Sequence, residues 1–244
     1  MDLDVLAFGA HPDDVELACG GTVIKLARQG YRTGVVDLTK GEMGTRGTPE
    51  DREQEAATSA EVMGLAVRKN LEIPDAHVTV SEEAKKKVVS AIREYRPRVV
   101  LCPYIENRHP DHSYTGQLVI DAAFLAGLGK LDTGHEPFRP EKVIFYMPHY
   151  KLSPTFIVDI TEHFEDKMKA VGCYSSQFHN DKSKEPETYI SSPEFMDMLV
   201  TKMKYFGTLI GKTYGEQFFL RDFMEIKDIM GLVPPREEAK GLLR

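Results

Sequence analysis

The stretch VLAFGAHPDDVELACGG, from Val5 to Gly21, decides how the chain is read. It opens as an apolar run of the kind that makes a buried strand, and from Glu16 onward the apolar positions recur at helical spacing. Between the two stand His11, Pro12, Asp13 and Asp14. Adjacent carboxylates repel each other, and Asp is a poor residue inside either element. A helix cap accounts for one of them and leaves the second carboxylate and the histidine unexplained. A dinucleotide site has the right strand–turn–helix placement, but GxGxxG is absent and two anions would face the pyrophosphate. A Mg²⁺ site suits paired Asp oxygens and gives His11 nothing to do. Imidazole nitrogen with carboxylate oxygen suits Zn²⁺ or another first-row divalent metal. By itself the stretch leaves two readings open, a metal site and a capped turn with an ordinary loop histidine.

Strand–helix alternation continues outward from it. Asp4–Gly9 reads as a strand, Glu16–Gln29 as a helix closed by Gly30, and Thr33–Thr39 as a second strand, followed by the glycine-rich loop KGEMGTRG. Thr48 caps a helix with Pro49 in its first position and acids in its first turn, ending near Met63. A short strand near Asn70–Ile73, a helix over Ser81–Tyr95, the strand Arg98–Pro103 and an apolar helix over Ser113–Leu125 follow. Lys142–Met147 and Thr155–Ile160 read as strands across a turn with Pro148 and Pro154. Thr161–Tyr174 reads as a helix, and Ser192-Pro193-Glu194 opens another that reaches Gly207. The pattern predicts a single α/β domain over residues 1–244, with a Rossmann-like, mostly parallel sheet and helices on both faces. Residues 236–244 read as a loose tail. Ligands of such sheets sit beyond the carboxyl ends of the strands.

Bulk composition narrows the class. A chain of 244 residues with 41% hydrophobic and 28% charged content buries a core and is not disordered. A net charge of −7 argues against nucleic acid or an anionic membrane surface as partner. No apolar run approaches the roughly 18–20 residues of a membrane span, and the opening MDLDVLAFGAHPDD lacks the regions of a secretory leader. Cys19, Cys102 and Cys173 are odd in number and far apart, which predicts a reducing, cytoplasmic setting without disulfides.

A second cluster tips the balance toward the metal. After the strand RVVLCP comes YIENRHPDHSYTG, with His109, Pro110, Asp111 and His112. It too follows the end of a predicted parallel strand, so both clusters belong on one edge of the sheet. One histidine from this loop with His11 and Asp14 makes a three-ligand site that leaves a fourth position for water, the pattern of catalytic zinc. His112, at the start of the next helix, is the better third ligand, which leaves His109 for proton chemistry.

AHPDD after one strand and HPDH after a later one resemble the PIG-L/LmbE-like zinc deacetylases, which remove acetyl groups from N-acetylglucosamine conjugates. The loop GEMGTRGT, the R-x-x-E from Arg52 to Glu55, and the stretches SSQF and YGEQFFLRD are similar to the subgroup that makes bacillithiol. That subgroup acts on N-acetyl-α-D-glucosaminyl L-malate. The resemblance implies His11, Asp14 and His112 as ligands of Zn²⁺, with other first-row metals as substitutes. It implies Asp13 as general base toward the attacking water, and His109 as the group that stabilises the oxyanion or protonates the leaving amine. Asp111 is expected to hold His109 in orientation and favour its charged form. It also implies a homo-oligomer, trimer or hexamer, and a small-molecule sugar conjugate as substrate.

A malate-bearing substrate carries two carboxylates, so arginines are expected in the pocket: Arg52 and Arg108 first, Arg46 behind them. The bland reading of Arg52 is a solvated helix residue paired with Glu55. Glu42 is a candidate for sugar hydroxyls and Tyr189 for the pocket wall. His77, His135, His163 and His179 have no partner at motif spacing; His149, at a strand end, could approach the site. Cys19 reads as a small core residue beneath Gly20 and Gly21. Rival functions are cleavage of a thiol-conjugate amide, deacetylation of a chitin-derived disaccharide, and a metal- or sugar-binding module without catalysis. The intact Asp13 speaks against the last, because holding a metal needs no base beside it.

Overall fold

The computed structural model describes residues 1–146, 153–178 and 183–233. Its strands are β1 (Val5–Gly9), β2 (Thr33–Asp37), β3 (Val67–Asn70), β4 (Val99–Pro103), β5 (Lys142–Tyr146), β6 (Phe156–Asp159) and β7 (Gly215–Phe219). The helices are α1 (Asp14–Arg28), α2 (Pro49–Met63), α3 (Glu82–Tyr95), α4 (Pro110–Leu125), α5 (Phe164–Gly172) and α6 (Pro193–Leu209). Among the described residues the strands form one seven-stranded sheet in the order β3-β2-β1-β4-β5-β7-β6. From β3 to β5 every neighbouring pair is parallel, and β7 runs antiparallel to both β5 and β6. The α/β class and the mostly parallel sheet are as expected.

Both faces are covered because the strands carry apolar residues at even and odd positions alike. Leu6 and Phe8 of β1 pack with Val88 and Ile92 of α3 and Leu118 and Val119 of α4 on one face. Val5 and Ala7 pack with Val15 and Val23 of α1, Met63 of α2 and Ala170 of α5 on the other.

Several boundaries differ from expectation. The helix after β1 begins at Asp14 rather than Glu16, and the one after β4 at Pro110 rather than Ser113. The first motif therefore ends on a first helical turn and the second runs through one, and their polar side chains hide the helical start from a periodicity argument. The third strand lies at Val67–Asn70, upstream of the expected Asn70–Ile73. The expected helix over Thr161–Tyr174 divides into a 3₁₀ turn at Thr161–His163 and α5. YGEQFFLRD contains a strand, β7, which separates β5 from β6. The expected end of β5 at Met147, His149, His179 and the tail 236–244 lie outside the described residues.

The order places a switch in chain direction between β1 and β4: β2 and β3 build outward on one side of β1, β4 and β5 on the other. Helices that leave two adjacent parallel strands on opposite faces open a crevice at their carboxyl ends. His11–Asp14 follows β1 and His109–His112 follows β4, so the switch brings the two motifs to the same crevice.

Candidate active site

Three side chains converge at the crevice. Nε2 of His112 lies 3.1 Å from Oδ1 of Asp14 and 3.3 Å from Nδ1 of His11, and Nδ1 of His11 lies 3.5 Å from Oδ2 of Asp14. Tetrahedral zinc with bonds of about 2.0–2.1 Å holds neighbouring ligand atoms about 3.3 Å apart. The triangle fits a divalent cation, and the donor set of two imidazoles and a carboxylate fits a first-row metal. His11, His109 and Asp111 form a second close group, but Nε2 of His11 is already engaged with Asp75 at 3.0 Å.

The far nitrogen of each histidine in the triangle is tethered. Asp75 Oδ1 takes Nε2 of His11, and Asn107 Oδ1 lies 3.3 Å from Nδ1 of His112. An acceptor at one ring nitrogen keeps the proton there and leaves the other lone pair bare, which is how outer groups orient metal-binding histidines. Electrostatics follow the same geometry. Burial opposes a charge on His11, but its bonds to Asp111, Asp14 and Asp75 hold its pKa well above the usual range, so a cation bound at Nδ1 would take the place of a proton. Burial likewise opposes ionisation of Asp14, yet His112 and His11 hold its carboxyl well below the ordinary value.

Asp13 faces elsewhere. It sits at the N-cap of α1 with φ 116°, in the left-handed region, and its side chain makes no capping bond. Such a backbone costs a non-glycine residue about 1 kcal/mol or more. The conformation turns adjacent carboxylates apart: Asp14 joins the triangle, while Asp13 Oδ2 accepts from Nη2 of Arg52 at 3.1 Å. Burial pushes the Asp13 carboxyl up to about 7, against the pull of Arg52 and with the help of Asp14.

Arg52 is placed by α2, which starts as expected: Thr48 Oγ1 accepts from Asp51 N and Asp51 Oδ2 from Thr48 N, with Pro49 in the first turn. One turn in, the guanidinium is buried, donating to the Pro12 carbonyl, Asp13 and Gln177 Oε1. Gly41 has φ +69°, and a Cβ there would come within 2.7 Å of Nη1 of Arg52, so the loop lies flat on the arginine. The solvated reading is therefore corrected, and so is the pairing with Glu55, which accepts instead from Ser176 N and Oγ at 2.7 Å. Gln177 Nε2 donates to the Arg46 carbonyl at 2.6 Å. The R-x-x-E and SSQF stretches thus meet as one wall.

The remaining expected residues divide. Arg46 lines the pocket, but its guanidinium is buried against the carbonyls of Ser176 and Pro186, with Nη2 unpartnered among the described residues. Arg108 is exposed at the mouth, 4.5 Å from the Tyr189 ring centroid, and both line the pocket. Glu42 does not line it: its carboxylate accepts from Asp75 N at 2.7 Å and braces the loop. The expected hold of Asp111 on His109 is also corrected. Asp111 Oδ2 accepts from Ala76 N at 2.8 Å and lies 3.5 Å from Nε2 of His11, whereas the backbone N–H of Asp111 donates to Nδ1 of His109. That bond puts the neutral ring's proton on Nε2. Burial, with repulsion from His11 and His112, lowers the His109 pKa, so a charged His109 is not favoured here.

Asp75 is the functional residue that sequence reasoning missed. It joins His11 to the glycine-rich loop, since its Oδ2 accepts from Met43 N at 2.9 Å. The signal was its position just after a third parallel strand, at the edge that carries the other motifs. The pocket, about 390 Å³, is bounded by His11, Asp13, Asp14, His109, His112 and the arginine wall.

Comparison with known proteins gives a concordant result. The family model described as GlcNAc-PI de-N-acetylase (PIG-L) matches residues 6–123, which include both motifs. The chain is 33% identical over 227 residues to a diacetylchitobiose deacetylase of Thermococcus kodakarensis, covering 87% of this chain and 80% of that protein. It is 28% identical over 191 residues to a probable N-acetyl-α-D-glucosaminyl L-malate deacetylase 2 of Bacillus cereus, covering 72% of this chain and 84% of that one. Among solved structures, a conserved protein from Thermus thermophilus superposes with a TM-score of 0.84 at 37% identity, covering 92% of this chain and 98% of that chain.

Proposed function

The chain belongs to the PIG-L family of de-N-acetylases, and on that premise we propose that it is a metal-dependent hydrolase that removes the acetyl group from an N-acetylglucosamine conjugate. The observation that carries this reading is the triangle of donor groups on His11, Asp14 and His112 beside the separately held carboxylate of Asp13.

His11, Asp14 and His112 would hold a divalent metal, Zn²⁺ by donor type, which when bound supplies Lewis-acid polarisation of the amide carbonyl and acidifies water. Asp13 takes the proton of the attacking water. Its burial strengthens it as a base, and Arg52 keeps it ionised and aimed. His109 presents Nε2–H to the developing oxyanion, and the proton gathered by Asp13 or carried by His109 goes to the leaving amine. Asp75 and Asn107 keep the ligand histidines in the required tautomers.

For the conjugate, we favour a chitin-type disaccharide such as N,N′-diacetylchitobiose over the malate glycoside that the sequence resemblance suggests. Two of the three arginines expected for malate hold protein acceptors: Arg52 at Asp13 and Arg46 at two carbonyls. Similarity to the Thermococcus enzyme supports the same reading. The malate conjugate is the second reading, resting on the exposed guanidinium of Arg108 and the Bacillus relative.

Acetate release from diacetylchitobiose, the malate conjugate and free N-acetylglucosamine tests both levels. Release that needs added metal and disappears in Asp13→Asn is the expected result. No release from any of the three overturns the deacetylase reading; a higher kcat/KM on the malate conjugate overturns only the disaccharide.

A further inference from the structure

Helix α1 is broken one turn after the motif. Cys19 has φ −140° and ψ 16°, so the helix consists of a short first segment, which carries Asp14, and a second beginning at Gly20. A break creates a new carboxyl end and a new amino end, each with unpaired backbone groups in the interior. Both ends meet a buried charge of the matching sign. The carboxylate of Glu216, on β7, accepts from Gly21 N at 2.9 Å and Thr22 N at 2.7 Å. The ammonium of Lys167, on α5, donates to Leu17 O at 2.9 Å and to Glu216 Oε1 at 2.6 Å. The two side chains are 0% and 1% exposed. An anion at the amino end and a cation at the carboxyl end also suit the helix dipole on either side of the break.

Gly21 allows the approach. A Cβ there would lie 2.8 Å from Cδ1 of Ile160 and 3.0 Å from Oε1 of Glu216. Without the ion pair, the buried ends of the two segments would regain their hydrogen bonds by closing into one straight helix, because the backbone N–H of Gly21 is the natural donor to Leu17 O. Straightening would swing the first segment, and with it Asp14.

We propose that Glu216 and Lys167 are positioning residues for the metal centre: a buried ion pair spliced into the backbone of α1 sets the angle at which Asp14 meets His11 and His112. The inference rests on the reading of that triangle as a metal site. It assigns a role to two residues from distant parts of the chain, neither of which belongs to the ligand group of His11, Asp14 and His112.

Full-length wild type and Glu216→Gln, stripped of metal, are titrated with Co²⁺, whose visible absorption reports the geometry of its ligands. Glu216→Gln is expected to fold, to bind Co²⁺ about tenfold or more weakly, and to show an altered band. Its kcat should fall by a larger factor than its KM changes. Arg93→Met, which breaks the buried bonds of Arg93 to Ala126 and Leu128 carbonyls against the other face of the sheet, controls for destabilisation alone and should keep the wild-type affinity and band. Unchanged affinity and band in Glu216→Gln, or equal loss in Arg93→Met, overturns the proposal. Should Glu216→Gln fail to fold, Glu216→Gln with Lys167→Met leaves no orphan charge and carries the same comparison. Failure of that variant to fold makes the pair a requirement of the fold and also overturns it. Wild type that takes up no Co²⁺ refutes the metal reading instead, so the two failures are distinct.

Discussion

Nη2 of Arg52 lies 3.1 Å from Oδ2 of Asp13, and both side chains are buried. The pair explains how a carboxylate next to Asp14 stays out of the ligand triangle: its backbone is left-handed and its charge is engaged from the opposite side.

Asp13→Asn removes the base without adding bulk. Turnover should fall by about 10²–10⁴-fold, while metal content stays at the wild-type level. Acetate-release kinetics and metal analysis on one preparation check both halves.

Arg52→Met removes the cation that favours ionised Asp13. The base must be ionised to act, and losing the cation raises its pKa. The acid limb of the kcat/KM profile should therefore move to higher pH, with kcat reduced even at the optimum. A profile that keeps its acid limb in place contradicts the pairing.

Asp75→Ala frees Nε2 of His11, so the ring can protonate at either nitrogen. Metal affinity should drop about 10–100-fold, as for other outer partners of ligand histidines, and Asp75→Asn should lose less. Competition with a chromophoric chelator measures the change.

Arg46→Met should act on stability rather than on substrate choice. It removes the donor shared by the carbonyls of Ser176 and Pro186, at a cost of about 0.5–1.5 kcal/mol for each bond. Denaturant unfolding should show that loss, with KM ratios among the three sugar substrates unchanged.

Chelation should abolish turnover and leave the fold intact, because Asp75 and Asn107 hold the ligand histidines from outside. Metal readdition should restore activity and raise the melting temperature. At a free concentration 100 times Kd the gain is about 2.7 kcal/mol.

The sequence made the parallel core and the two histidine–aspartate motifs legible because both are local signals: apolar runs, turn chemistry, and polar clusters where a strand ends. Arg52 was harder to place, since α2 is polar over most of its length and offers little periodicity to mark its inner face. Asp111 was misjudged for another reason. Neighbours in sequence need not be neighbours in space, and the first turn of α4 directs its carboxylate at His11 and Ala76 instead of His109. β7 escaped because a short strand inserted between two earlier ones is a long-range pairing with no local mark.

The insertion of β7 also bears on when the molecule can be finished. His11, Asp14 and His112 all leave the ribosome before Glu216 and β7, the strand that joins β5 to β6. A domain generally folds as a unit, so its early segments wait for the late ones. On the proposed reading, a nascent chain displays His11, Asp14 and His112 before it holds the Glu216 strut, and mature affinity for the ion would arrive only once β7 enters the gap between β5 and β6.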